Sequence, residues 1–270
     1  MDNVIFVLIF ICFVKLFINM KALREIVNSK KILIAAHRGN SSNFPENTIS
    51  AFQSAVNLGV DMIELDVQFT KDNQIVVSHN EILRNTKQHL SELTFDQIKD
   101  FNNGSWFSSD FANERIPLLS DVIKEFSNKV YFSIEVKPFF STKTKNEITQ
   151  LATLVAENNL TQNIVIASFD AKNLSFIKSI NPQINTAAIF NSKLNLLPID
   201  YKNECESDAI ICSLDELNEK FAANANQNDI FIGIYGAKTK SDIDKCLANN
   251  VKVIGTDFPA QIIKLINEFN

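Results

Sequence analysis

His37-Arg38-Gly39 closes the apolar run Ile32-Leu33-Ile34-Ala35-Ala36, and a second run, Met62-Ile63-Glu64-Leu65-Asp66-Val67, places two acids two positions apart. A third, Ile75-Val76-Val77-Ser78-His79, ends in another histidine. The chain has three histidines, so two of them stand where an apolar strand meets a polar loop. Strand side chains alternate, so Glu64 and Asp66 share a face and Leu65 faces away. Two ring bases beside paired carboxylates point to acid/base chemistry around a bound cation.

Outward from these runs, short β-branched stretches alternate with helical ones. Strands are predicted over 32–36, 62–68, 74–78, 130–136, 164–168, 184–190, 209–212, 230–235 and 251–255. Helical spacing covers 46–58, with Ile49, Phe52 and Val56 on one face and Gly59 as the stop. It returns over 146–158, 171–180, 215–223 and 241–249. Repeated β-α units imply an α/β fold with a parallel sheet, and 270 residues suit one closed barrel of about 250 residues. Nine candidate strands are one too many for eight, and we assign the surplus to a weak late run, 184–190 or 209–212, as irregular or outside the barrel.

One connection departs from the rule. Twelve residues separate Asp66 from His79, too few for a regular helical crossover. Lys71-Asp72-Asn73 reads as a tight turn. The chain is expected to run back through 67–70, turn, and climb through 74–78. A helix is therefore missing between strands two and three, and His79 ends strand three at the level of Asp66. Residues 81–117 break the alternation, with a short helical stretch at 94–101, and read as a small insertion over the C-terminal face of the barrel.

Composition excludes little else. Hydrophobic residues make up 46% of the chain, enough for a full core, and the net charge of −5 recommends no nucleic-acid partner. Cys12, Cys205, Cys212 and Cys246 show no C-x-x-C spacing and read as buried thiols.

Glu135 and Lys137, in Ser133-Ile134-Glu135-Val136-Lys137-Pro138, repeat the spacing of Glu64 and Asp66. All four lie at the C-terminal ends of predicted strands, where parallel barrels build their active sites. Glu64, Asp66 and Glu135, without cysteine partners, suit a hard divalent cation, Mg²⁺ or Ca²⁺, and spacing does not choose between the two.

Taken in order, these pieces resemble the glycerophosphodiester phosphodiesterase family. The resemblance is carried by His37-Arg38-Gly39, Pro45-Glu46-Asn47-Thr48, Glu64-Leu65-Asp66, Val76-Val77-Ser78-His79, Glu135-Val136-Lys137, Ser168-Phe169 and Thr256-Asp257-Phe258-Pro259. Gly104-Ser105-Trp106-Phe107 and Ile116-Pro117-Leu118 resemble the family's inserted region. The match spans residues 33–260. It implies a TIM barrel and metal-assisted cleavage of a glycerophosphodiester to glycerol 3-phosphate and an alcohol. It further implies that Glu64, Asp66 and Glu135 hold the cation, and that Arg38 and Lys137 neutralise the phosphate. His37 and His79 become the base and acid pair, and we assign His37 as base and His79 as acid. The attacking group is either water or the substrate's own glycerol hydroxyl.

Asn47 and Thr48 read as residues that set the loop and helix start, since both cap well. Phe169 and Tyr235, at later strand ends, either line a glycerol pocket or simply pack. Three positions depart from the family pattern. Asn80 stands where Asp is usual, Tyr235 where Trp is frequent, and the Gly-rich stretch after Arg84-Asn85-Thr86 is absent. Lysophospholipase D-type action on membrane lysophospholipids is the near alternative. A non-catalytic phosphodiester-binding relative would have lost a histidine or a metal acid, and none is lost. The sphingomyelinase D type has a similar layout, but the Pro45–Thr48 motif and the inserted region argue against it.

The N-terminus is apolar from Val4 to Ile18 except for Lys15. Fifteen helical residues reach about 22 Å, short of a hydrocarbon core of roughly 30 Å, though extension to Met20 with Lys15 snorkelling makes a tight span. Three readings stand: an uncleaved anchor, a signal peptide, or neither, the last including initiation at Met20. As an anchor, with Lys21, Arg24, Lys30 and Lys31 following it, the segment places the catalytic domain on the cytoplasmic side.

Overall fold

The computed structural model describes residues 20, 22–29, 32–137 and 144–268. Residues 4–18, the expected anchor or signal, lie outside them. Among the described residues no helix is long and apolar enough to cross a membrane.

The chain opens with a short helix, α1 (Leu23–Ser29), followed by β1 (Leu33–His37), α2 (Ile49–Leu58), β2 (Met62–Phe69) and β3 (Ile75–Val77). A segment with one short helix, α3 (Phe95–Ile98), leads to α4 (Leu119–Phe126) and β4 (Tyr131–Val136). Regular units then follow: α5 (Thr144–Glu157), β5 (Ile164–Ser168), α6 (Ala171–Ile180), β6 (Asn185–Ile189), α7 (Pro198–Cys205) and β7 (Ala209–Ser213). The last are α8 (Glu219–Gln227), β8 (Phe231–Tyr235), α9 (Lys240–Ala248), β9 (Val253–Thr256) and α10 (Pro259–Asn267).

Eight strands pair in parallel in the order β1-β9-β8-β7-β6-β5-β4-β2, and β2 returns to β1, closing a TIM barrel. The outward faces, among them Ile34, Ile63, Ile134 and Ile254, pack with the helices in the main core. A second cluster lies inside the barrel, where Leu23 and Val27 of α1 meet Leu33, Met62 and Tyr131. The helix α1 therefore covers the N-terminal end of the barrel, held by the Leu23 amide donating to the Gln162 carbonyl at 2.8 Å.

The surplus strand is β3, which corrects the expectation that it was a late run. It pairs antiparallel with β2, in the register Val67↔Val77, Gln68↔Val76, Phe69↔Ile75. The runs expected over 184–190 and 209–212 are β6 and β7, full barrel members joined through Ala187↔Ala209. One inward residue of each, Ala187 and Ala209, is small, which weakens the apolar signal without removing the strand. Nor does the chain turn back after Asp66: β2 continues to Phe69, and the hairpin through Asp72 and Asn73 makes the return. The Ser78 amide donates to the Asp66 carbonyl at 3.0 Å, which brings His79 back to the level of the acids. His79 thus rides on a hairpin arm rather than on a barrel strand.

Helix α8 begins at Glu219, four residues later than expected. Ser213 and Glu216 first close a turn, with the Ser213 amide donating to Glu216 Oε2 at 2.9 Å, and Asn218 then caps the helix. Between β3 and α4, Val76, Leu83, Leu90, Ile98 and Ile116 form a small core of their own.

Candidate active site

Parallel strands in register point matched side chains the same way. His37 of β1 is in register with Glu64 of β2, and Asp66 of β2 with Glu135 of β4. Three adjacent strands therefore deliver one histidine and three carboxylates to the C-terminal mouth. One oxygen from each of Glu64, Asp66 and Glu135 lies within 4.8 Å of the others.

The turn after β1 is tight. Arg38 and Gly39 have φ of 56° and 84°, and a Cβ on Gly39 would sit 2.7 Å from the Ala51 backbone. Only glycine fits there. The left-handed conformation of Arg38 costs on the order of 1 kcal/mol. It aims the Arg38 amide at Glu64 Oε2, 3.0 Å away, while the guanidinium meets Glu46 at 2.7 Å and Asp66 at 3.2 Å. Thr48 caps α2 by accepting from the Ala51 amide, as expected.

Asp66 is the most enclosed of the acids, at 1% exposure. Its carboxylate meets Lys137 Nζ at 2.5 Å and accepts from Asn47 Nδ2 at 2.9 Å. Burial alone would raise its pKa, but Lys137, Arg38 and Asn47 together hold it below the ordinary carboxylate value. Lys137 also bonds Glu135 at 2.7 Å. Burial works against the Lys137 charge, yet Asp66 and Glu135 keep its pKa raised. Among the described residues Glu64 has no lysine or arginine side chain bonded to it, only the His37 ring at 3.9 Å. Burial and the neighbouring charges of Asp66 and Glu135 push it up to about 7.

His37 stands between two acids. Its Nδ1 is 2.6 Å from Asp257 Oδ1, and its Nε2 is 3.9 Å from Glu64. Burial lowers its pKa, but the Asp257 hydrogen bond and the Glu64 charge outweigh it and leave the ring above the ordinary histidine value. With Nδ1–H donated to Asp257, Nε2 faces the mouth. On the hairpin arm, His79 Nδ1 lies 3.1 Å from Asn80 Oδ1, and the His79 carbonyl accepts from Gln68 at 3.3 Å. Asn80 can thus orient the ring as an aspartate would, without the charge. His37, His79, Phe169 and Tyr235 line one cavity with Glu64, Glu135 and Lys137. Phe169 and Tyr235 are exposed at its rim.

Three contributors escaped the sequence reading. Asp257 lies 220 positions from His37 and becomes its neighbour only because β9 pairs with β1. Asn47, read as a capping residue, hydrogen-bonds Asp66 instead. Glu46 joins Arg38 to Arg84, whose guanidinium lies 3.2 Å from Glu46 and 3.9 Å from the centre of the Trp106 ring. The usable signal was closure itself: an acid ending the last strand must lie beside the first.

The acid cluster fits a divalent cation. Its donors are hard oxygens, one from each of three carboxylates gathered at the barrel mouth. Fold and site together define a TIM barrel whose mouth gathers two histidines and a cluster of three carboxylates that could hold a metal ion.

The sequence matches the glycerophosphoryl diester phosphodiesterase family over residues 37–261. It is 33% identical over 236 residues to YhdW of Bacillus subtilis (strain 168), covering 86% of this chain and 96% of that protein. It is 30% identical over 242 residues to the glycerophosphodiester phosphodiesterase of Caldanaerobacter subterraneus subsp. tengcongensis, covering 88% and 99%. The fold is shared with an Oleispira antarctica phosphodiesterase solved with the product sn-glycerol-3-phosphate, at TM-score 0.79 and 19% identity over 89% of this chain and 99% of that one. The chain belongs to the glycerophosphoryl diester phosphodiesterase family.

Proposed function

We propose that this enzyme hydrolyses glycerophosphodiesters to glycerol 3-phosphate and an alcohol, in glycerophospholipid metabolism. The observation that carries this reading is the meeting of Glu64, Asp66 and Glu135 with His37 at one barrel mouth, inside a family match that spans the barrel. The product bound to the Oleispira antarctica phosphodiesterase supports it.

Glu64, Asp66 and Glu135 would hold Mg²⁺ or Ca²⁺. When bound, the cation polarises a phosphoryl oxygen and offsets the charge that grows there. Arg38 and Lys137 add fixed positive charge beside the same oxygens. His37, with Nδ1 tied to Asp257, takes the proton of the attacking hydroxyl or water at Nε2. His79, at the outer side of the mouth, returns a proton to the leaving alcohol. Phe169 and Tyr235 would frame the glycerol end.

The test is phosphorus NMR of glycerophosphocholine incubated with the full chain. A glycerol 3-phosphate signal with free choline is expected. Phosphocholine with free glycerol would overturn the reading.

Glu64 makes cation binding depend on pH. A carboxyl that titrates near 7 is largely protonated below that and must lose its proton to ligate. Apparent cation affinity should therefore fall about tenfold per pH unit below about 7 and level off above it. Calorimetric titration in buffers of different ionisation heat should show close to one proton released per ion at pH 6. Binding without proton release there would contradict the assignment of Glu64 as a ligand.

A further inference from the structure

Arg38 works from a turn with left-handed backbone, and its side chain is held from outside the barrel. Its guanidinium donates to Glu46 Oε2 at 2.7 Å. Glu46 is no member of the acid cluster, and its other oxygen, Oε1, accepts from Arg84 at 3.2 Å. A carboxylate gripped at one oxygen can turn about its bond, whereas one gripped at both is fixed in plane. The Arg84 guanidinium lies 3.9 Å from the centre of the Trp106 ring. Its donors lie in its own plane, so stacking on a ring face leaves them all free and aims them at Glu46. Trp106 is fixed in turn, its indole N–H donating to the Asn103 carbonyl at 2.9 Å.

Arg84, Asn103 and Trp106 all belong to the inserted segment, whose own small core includes Leu83. That segment grips the loop before α2 a second time, where Phe111 meets Phe44 edge to face at 5.4 Å. The loop so held carries Glu46 and, next to it, Asn47, which donates to Asp66. The insertion therefore builds the outer layer behind both Arg38 and Asp66. Charge gives this layer a further purpose. Alone with Arg38, Glu46 would compete with an incoming phosphate for the guanidinium. Arg84 gives Glu46 a second cation, which weakens its claim on the Arg38 charge and keeps the bond that aims it. The side chains of Arg38, Glu46 and Arg84 are 17%, 23% and 31% exposed, so water and salt screen these pairs only in part.

Resting on the function proposed above, we propose that Arg84 is a positioning residue for phosphodiester cleavage. It acts from the inserted segment through Glu46 on Arg38, with Trp106 as its platform, and needs no contact with the substrate. The phosphodiester gains charge on the way to its transition state, so a misaimed Arg38 costs more there than in the bound substrate.

The test is a double-substitution cycle of Arg84→Met and Glu46→Gln in the full chain, with glycerophosphocholine as substrate. A misplacement of 1 Å can cost about a hundredfold, so Arg84→Met should lower kcat at least roughly tenfold and change KM by less than about threefold. Glu46→Gln should lower kcat by a similar factor. Added to Glu46→Gln, Arg84→Met should cost less than about twofold more, because the route is already cut. Losses that multiply, or a loss carried by KM alone, overturn the proposal. Should Arg84→Met melt below the assay temperature, Arg84→Gln takes its place in the cycle. A second readout needs no turnover. Trp106 is the single tryptophan of the chain, so its emission reports on the Arg84 stack. Arg84→Met should uncover the ring face and raise quenching by acrylamide. Glu46→Gln should raise it too, since Arg84 loses its anchor, and unchanged quenching in Glu46→Gln overturns the coupling. Failure of the wild type to turn over glycerophosphocholine overturns the substrate reading and this role with it. Normal wild-type turnover with multiplying losses overturns the role alone.

Discussion

Asp66→Asn is expected to lower kcat/KM by about a thousandfold, close to 4 kcal/mol of transition-state stabilisation. The substitution keeps the shape and removes the charge on which the site converges. Arg38 at 3.2 Å and Lys137 at 2.5 Å both turn towards this carboxylate, and Asn47 donates to it. Neutralising it leaves two cations over a weakened acid cluster, so the loss should come with reduced cation affinity and lower stability. Breaking a buried pair from one side costs about 3 kcal/mol, discounted here because Arg38 and Lys137 remain partly exposed. Steady-state kinetics at saturating cation, with a thermal melt, checks both effects. Retention of more than a tenth of wild-type kcat/KM would remove Asp66 from the centre of the site.

His37→Ala and His79→Ala should each lose at least roughly 100-fold in kcat. The two are separable by pH. A general base must be unprotonated, and His37 is held above the ordinary histidine value, so the acid limb of kcat/KM should lie at higher pH than a free imidazole would give. Asp257→Asn removes the principal support of that shift. The acid limb should then move to lower pH, while the maximum rate falls because the ring is no longer fixed. A rate loss with no movement of the limb would make Asp257 a structural residue and His37 something other than the base. Wild-type rates in either alanine variant would contradict the role given to that histidine.

Much of this centre is legible along the chain because it is built by local rules. Alternation places Glu64 with Asp66 and Glu135 with Lys137, and strand ends carry them to the mouth. Direction is less legible. The run ending at His79 has the composition of any barrel strand, and only its pairing with β2 shows that it runs the other way. The weak look of β6 and β7 has a physical cause: among their inward residues, Ala187 and Ala209 are small beside Ile189 and Ile211. A sequence pattern registers missing bulk as a missing strand. Asp257, Asn47 and Glu46 act through contacts that closure and the β1 turn create, and each is an ordinary polar residue until those contacts form.

The most direct test of the central claim follows glycerol 3-phosphate release from glycerophosphocholine by phosphorus NMR, with cation present, after chelation, and after cation is restored. A cation held by Glu64, Asp66 and Glu135 predicts turnover that chelation abolishes and that Mg²⁺ or Ca²⁺ restores. Undiminished turnover in chelator, or no glycerol 3-phosphate with either ion, would contradict it.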